Sequence, residues 1–413
     1  MVRSTFVVWL LGGFAAAFAS CDDDSPTTRR DPPSNPTAAS PPSSATNEPR
    51  GDAPSPATTP IDPGPPAVQF IGRFDARDPA GPSCGWPGCR VIASFEGTDV
   101  SVRLGEALST IGPSEWDVAI DGVWKTPHLV LQGGPRDYEL ARGLPAGKHT
   151  VELYKRTEAQ CGVTQFLGYD FHGGTLLPPP LRRKRRIEIV GDSDVTGFGY
   201  VGAITGSCEP APVWAARFED FRSAWGSRLG EKLNAELHAA AFSGKGFYYN
   251  IWRPDTETIG VLYPRANPND VSSTWDFTSW TPDVVVVSIG GNDYNVGQPE
   301  DFGPAPLAGF TQKAREFTAT VRGHYPQAHI FLMAYAVLTD TYPPGRQRRT
   351  NVETALKTVR DEHLAAGDAR VYFTAPPEYN PAELTGCDGH GGPEYHERIA
   401  KFMAEDIGPK LGW

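Results

Sequence analysis

The most constraining feature of the chain is the run Val284-Val285-Val286-Val287. Four consecutive β-branched residues leave no polar face, so the strand they form must be covered on both sides. Buried strands of this kind belong to parallel sheets with helices on both faces. The surrounding sequence repeats the pattern. Ile187 to Val190, Leu237 to Ala241, Ile330 to Ala334 and Val371 to Thr374 are four more strand candidates, separated by helix-like segments. In one of these, Phe218, Phe221, Trp225, Leu229 and Leu233 recur every three or four residues, and the chain closes with a helix over Glu394 to Ile407. Strand, helix, strand alternation predicts a three-layer α/β domain over residues 186–413.

Short polar motifs follow these strands. Gly191-Asp192-Ser193 comes directly after the first, Ser243-Gly244-Lys245-Gly246 after the second, and Gly290-Gly291-Asn292-Asp293 after the valine run. Asp388-Gly389-His390 lies in the last loop before the final helix. In open parallel sheets, sites form at the carboxyl ends of the strands. Each motif alone suits an ordinary turn or helix cap. Four in one domain, all at strand ends or in the closing loop, form a coherent set.

Residues 67–177 read differently. Val68 to Ile71, Arg90 to Phe95, Asp99 to Leu104, Trp116 to Ile120, His149 to Tyr154 and Gln165 to Tyr169 are short β-like runs. Asp121-Gly122 and Pro145-Ala146-Gly147-Lys148 supply turn signals. Strands at this spacing predict a β-sandwich. Pro178-Pro179-Pro180 and the basic run Arg182 to Arg186 mark a boundary, and residues 178–185 read as a solvated linker.

Upstream, residues 22–66 are rich in Pro, Ser, Thr, Ala and Asp and nearly devoid of aliphatic side chains. Such a stretch buries too little apolar surface to offset its conformational entropy, so a disordered tether is expected. Residues 1–21 read as an export signal: Arg3, an apolar core from Phe6 to Phe18, then Ala19-Ser20 before Cys21. The ending resembles the bacterial lipoprotein pattern, which implies lipid on Cys21. The protein would then be tethered to a bacterial membrane, at the cell surface or in the periplasm, without crossing the bilayer. A net charge of -11 argues against a nucleic-acid or anionic-membrane surface.

The four motifs of the α/β domain resemble the SGNH, or GDSL-like, hydrolases. Further blocks extend the likeness over residues 68–410: Leu153-Tyr154-Lys155-Arg156-Thr157-Glu158, Trp275-Asp276-Phe277, Trp280 and Gly386-Cys387-Asp388. With them the chain resembles carbohydrate esterase family 2. The resemblance implies a small jelly-roll domain before an SGNH domain, and removal of O-acetyl groups from plant cell-wall polysaccharides such as xylan or glucomannan. A lipase or broad short-chain esterase on the same scaffold, and an inactive carbohydrate-binding surface protein, are the alternatives. The sequence departs from the pattern at Gly291, where Thr is more usual, at Asp194 after the nucleophile, and at Gly391-Gly392.

These residues support acyl transfer. Ser193 is the expected nucleophile, His390 the base and Asp388 the residue orienting the imidazole. Asp388 and His390 are two residues apart rather than the more usual three, so Asp388 is the weakest member. The Ser193 and Gly244 backbone N–H groups and the Asn292 side chain are the expected oxyanion donors. His396 reads as structural. Trp280 and Tyr294 are candidates for lining the substrate site, with burial in the core as the competing reading.

Besides Cys21 there are five cysteines. In an oxidising compartment Cys84 with Cys89, and Cys208 with Cys387, are the pairs considered; the second would fasten the two catalytic loops together. No metal-ligand spacing or phosphate-cradling glycine motif is evident, so no cofactor is expected. The expected partner is an acetylated polysaccharide or oligosaccharide acted on by a monomer.

Overall fold

A computed structural model describes Pro65, residues 67–210, Pro212 and residues 214–413. The export signal, Cys21 and nearly all of the tether lie outside the described residues. Among those described, no helix is long and apolar enough to cross a membrane.

Residues 69–177 form two antiparallel sheets. The larger runs in the order Gln69–Ile71, Arg90–Gly97, Gly147–Lys155, Glu115–Ile120, Val123–Trp124, with Thr175–Leu177 added beside Arg90–Gly97 and Leu129–Val130 beside Glu115–Ile120. The smaller holds Ser83–Cys84, Gly162–Asp170, Val100–Leu108 and Gly134–Ala141. Val91, Phe95, Val102, Leu104, Val151, Leu153 and Phe166 pack between them. Polar links cross between the sheets from Trp116 Nε1 to Thr164 Oγ1 at 3.1 Å and from the Tyr169 hydroxyl to the Val91 carbonyl at 2.9 Å. All six expected strands are present. Gly134–Ala141 carries no apolar alternation and most of it faces solvent, which is why its sequence does not read as a strand. Asp121 and Gly122 both adopt positive φ, the requirement of a tight two-residue hairpin.

The second domain is a five-stranded parallel sheet in the order Ala235–Ala241, Arg185–Gly191, Val284–Ser288, His329–Met333, Val371–Thr374. Every residue of Val284–Ser288 is buried, as the valine run demands. Helices Leu307–His324, Arg348–Ala365 and Pro393–Leu411 accompany the sheet. The helical reading of 218–233 holds only from Trp225 to Lys232. Phe218 and Phe221 sit in two short 3₁₀ turns, because the Phe221 N–H is drawn to the Arg156 carbonyl of the β-domain at 2.9 Å.

The basic run is exposed at Arg182 and Lys184, and its arginines are engaged. Arg185 and Arg186 open the first strand. Arg182 pairs with Glu236 at 2.6 Å, Arg183 with Glu231 at 3.1 Å, and Arg185 donates to the Leu233 carbonyl at 2.8 Å. These bonds staple the entry of the chain to the neighbouring strand at Glu236 and to the end of helix Trp225–Lys232 before it.

The β-domain also reaches under the parallel sheet. The fully buried Arg73 donates to Glu188 Oε1 at 2.7 Å, and the Tyr263 hydroxyl donates to Glu188 Oε2 at 2.6 Å. A carboxylate inside a parallel sheet is costly unless paired, and here the cation comes from the other domain.

Candidate active site

Ser193 follows Gly191-Asp192 at the carboxyl end of strand Arg185–Gly191, second in the sheet, and opens a four-residue helix, Ser193–Thr196. The Asp192 side chain caps that turn, accepting the Asp194 N–H at 3.1 Å. The last helix is preceded by the Cys387–Gly389 turn, which brings His390 back over the sheet. His390 Nε2 lies 2.9 Å from Ser193 Oγ. Its Nδ1 lies 3.1 Å from the Cys387 carbonyl oxygen. A carbonyl can only accept, so Nδ1 carries the proton and Nε2 presents its lone pair to the serine hydroxyl. This is the tautomer a general base needs. Desolvation lowers the His390 pKa below its usual value, against an opposing pull from the Asp388 charge and the backbone carbonyls. The Phe198 ring covers one side, with ring centroids 4.5 Å apart.

Asp388 does not take its expected place. Its backbone is left-handed (φ 54°) and its side chain is exposed. That turn sends the carboxylate outward and the Cys387 carbonyl inward, so a backbone oxygen holds the ring. Cys387 itself is bonded to Cys208, as expected. The disulfide fixes the residue whose carbonyl orients the base.

Two donors stand ready beside the serine. Among the described residues, neither the Ser193 nor the Gly244 N–H has an intramolecular acceptor. Gly244 adopts φ 80°, and a Cβ there would lie 2.8 Å from Ile251 Cγ2. The position therefore needs glycine twice over, for conformation and for space.

Asn292 is engaged elsewhere. Its Nδ2 donates to Asp192 Oδ2 at 3.1 Å and to the Lys245 carbonyl at 2.9 Å. Both amide hydrogens are thus committed, and the expected third oxyanion donor instead ties the nucleophile turn to the Gly244 loop.

Asp192 is a hub. Besides Asn292 and Asp194, it accepts the Tyr335 hydroxyl at 2.9 Å. Burial, and then the nearby Asp194 charge, push its pKa up to about 7. The departure at Gly291 follows from this: a Cβ at 291 would lie 1.7 Å from Tyr335 Oη. Tyr335 fills the space a side chain at 291 would need. Asp194 points away from the cleft, accepting Trp225 Nε1 at 2.9 Å and the Tyr395 hydroxyl at 2.6 Å. Asp293 accepts the N–H groups of Phe247, Tyr248 and Tyr249 and so shapes the loop beyond Gly244. Burial raises both of these carboxyl groups to about 6.

Four other expectations are settled by geometry. Tyr294 is fully buried against Phe310, with ring centroids 5.2 Å apart, and lines no cleft. Trp280 precedes the Val284–Ser288 strand, at the end of the sheet opposite Ser193. It is buried, stacks on His238 at 3.6 Å and donates to Glu236 at 2.6 Å, so it does not line the substrate site. Cys84 and Cys89 are buried as free thiols. The Cys84 and Cys89 side chains meet through a hydrogen bond without a disulfide between them, and the Cys89 thiol also reaches the Arg73 carbonyl at 3.7 Å. His396 is buried with Nδ1 accepting the Trp225 N–H at 3.1 Å, a structural role as expected.

Residues 70–180 match the family model for the carbohydrate esterase 2 N-terminal domain, and residues 189–398 that for the GDSL-like lipase/acylhydrolase family. A solved family two carbohydrate esterase from Clostridium thermocellum, in complex with cellohexaose, is 30% identical; the likeness covers 84% of this chain and 100% of that one, with a TM-score of 0.75. The chain belongs to carbohydrate esterase family 2. Among curated family 2 relatives, the cellulase/esterase CelE of Acetivibrio thermocellus is 31% identical over 348 residues. That match takes in 84% of this chain but only 40% of CelE. An acetylxylan esterase/glucomannan deacetylase of Cellvibrio japonicus is 24% identical over 351 residues, 84% of this chain and 90% of the relative.

Proposed function

We propose that this chain is an exported serine esterase that removes O-acetyl groups from polysaccharides such as xylan or glucomannan. The observation that carries the chemistry is the 2.9 Å contact between Ser193 Oγ and His390 Nε2, with two unoccupied backbone N–H donors beside it. Ser193 Oγ attacks the ester carbonyl carbon while its proton passes to Nε2. The carbonyl oxygen takes the negative charge and is met by the Ser193 and Gly244 N–H groups. Collapse of the tetrahedral intermediate breaks the bond to the sugar oxygen, which leaves with the proton from Nε2. The acetyl group now sits on Oγ. Water attacks it, giving its proton to Nε2, and acetate departs as Oγ recovers a proton.

The substrate class rests on the relatives' activities and on exposed aromatic rings carried by loops of the α/β domain. Trp214, Trp252, Phe302 and Tyr342 each expose half or more of their surface. Trp214 sits by the Cys208–Cys387 loops, where Ala215 and Phe218 pack on Cys387. Trp252 follows Ile251, whose N–H bonds the Gly244 carbonyl at 2.7 Å. Phe302 and Tyr342 belong to loops joined by the Arg346–Asp301 ion pair. Exposed aromatic rings are poor surface for a protein alone and good platforms for sugar faces. Export and lipid on Cys21 complete the reading and would hold the enzyme at a bacterial membrane.

The test is acetate release from acetylated xylan and glucomannan, run beside 4-nitrophenyl esters of increasing chain length. Release from the polysaccharides, preference for acetyl, and loss in Ser193→Ala are expected. Preference for long acyl chains would favour a lipase, and an inert wild type would leave only a binding role. Mass spectrometry of the mature N-terminus tests lipid on Cys21.

A further inference from the structure

The free N–H of Gly244 belongs to the same peptide plane as the Ser243 carbonyl. A trans peptide places its C=O and N–H on opposite sides, so whatever grips the carbonyl also aims the N–H. The grip comes from the β-domain. Gln160 Nε2 donates to the Ser243 carbonyl at 3.0 Å. Two residues earlier, Glu158 Oε2 accepts the Ser243 N–H at 2.7 Å. Both backbone groups of Ser243 are therefore held by side chains lying more than 80 residues away in sequence.

The holding segment is itself pinned. The Glu158 N–H donates to Glu219 Oε2 at 2.9 Å, and Lys155 Nζ donates to the Glu158 carbonyl at 3.3 Å. Asn269 Nδ2 donates to the Ala159 carbonyl at 2.8 Å. Glu158 is buried, so its bond to the Ser243 N–H is shielded from water. On the far side, the Ser243 hydroxyl meets Thr196 Oγ1 at 3.1 Å, which ties the same residue to the nucleophile turn.

We infer that Gln160 and Glu158 are positioning residues of the reaction, through which the β-domain sets the direction of the Gly244 oxyanion donor. The inference rests on the esterase reading above. It gives the β-domain a part in catalysis without contact with the substrate. A hydrogen bond to the Ser243 carbonyl also polarises the amide and strengthens its N–H as a donor. Without Gln160 the Ser243–Gly244 plane is free to rotate. The donor then points at the oxyanion for only part of the time, and kcat falls while ground-state binding stays.

The test uses the full-length protein. Gln160→Met removes the donor while keeping the stem. Its kcat on 4-nitrophenyl acetate is expected to drop about 10-fold, within the roughly 100- to 1,000-fold cost of losing an oxyanion donor outright. KM should stay within about twofold. Glu158→Ala should lose more, and Glu158→Gln, whose amide oxygen still accepts the Ser243 N–H, should recover most of that loss. If Glu158→Ala fails to fold, the Gln160 and Glu158→Gln variants carry the comparison. Hydrogen exchange in the 242–246 peptide should quicken in Gln160→Met while the 284–288 strand stays protected. Asp137→Ala, at an exposed β-domain ion pair, should change neither quantity. An unchanged kcat with unchanged exchange in folded Gln160→Met overturns the inference. So does an equal loss in Asp137→Ala. An inert wild type would count against the esterase reading, and the exchange measurement would still report on the clamp.

Discussion

The Cys387 carbonyl oxygen accepts the Nδ1–H of His390 at 3.1 Å. Orientation of the base thus depends on the path of the backbone, which the Cys208 disulfide anchors, and not on a carboxylate.

Asp388→Asn should therefore cost less than about tenfold in kcat/KM. The exposed carboxylate makes no hydrogen bond to the ring, and asparagine tolerates the left-handed backbone at 388. His390→Ala should cost about 10⁴-fold or more, as loss of a catalytic base does. Steady-state kinetics on 4-nitrophenyl acetate compares the two. Equal losses would restore Asp388 to a triad.

Because burial lowers the pKa of His390, the acid limb of kcat/KM should fall below pH 6.5. The sign follows from the role: only neutral imidazole can take the serine proton, and activity is lost as pH drops through the lowered pKa. Asp388→Asn removes a charge that favours the imidazolium, so its limb should move further down. A limb above pH 6.5 would mean that the ring's surroundings stabilise its charge.

Reduction of Cys208–Cys387, or its replacement by serines, should destabilise the protein by about 2–5 kcal/mol. Activity should suffer beyond what unfolding explains, since the freed segment holds the His390 carbonyl partner. Thermal unfolding and activity at low temperature, with and without reductant, separate the two effects.

Asp192→Asn probes the hub. The folded-state pKa of Asp192 is raised to about 7, above the roughly 4 of an unfolded aspartate. The folded state therefore binds the proton more tightly, and the wild type loses stability as pH climbs from about 4 through 7. The variant has no such charge to bury. Its melting temperature relative to wild type should rise between pH 5 and pH 8. A difference independent of pH would show that Asp192 is not titrating in that window.

Much of the fold was legible because burial leaves a strong residue-type signal. The valine run and its four companions became the five parallel strands, and the polar motifs fell at strand ends and in the closing loop. Ser193, Gly244 and His390 came together where those motifs placed them. What could not be read has a common cause. The Cys387 carbonyl has no sequence signature, since every residue has one. Tyr335 and Gln160 reach the site from segments whose local pattern suits a core strand and a loop. Asn292 was legible as a site residue, but its two hydrogen bonds depend on Asp192 and Lys245 being where only the fold puts them. Phe218 and Phe221 kept helical spacing and were claimed by the β-domain instead.

The clash between Gly291 and Tyr335 carries a historical implication. A side chain at 291 collides with the tyrosine hydroxyl, while losing the tyrosine empties a place beside Asp192 that glycine does not fill. Neither position can drift alone without passing through a damaged intermediate. The pair should therefore behave as a ratchet: once a lineage has taken up the glycine and the tyrosine together, the road back to threonine requires two changes at once.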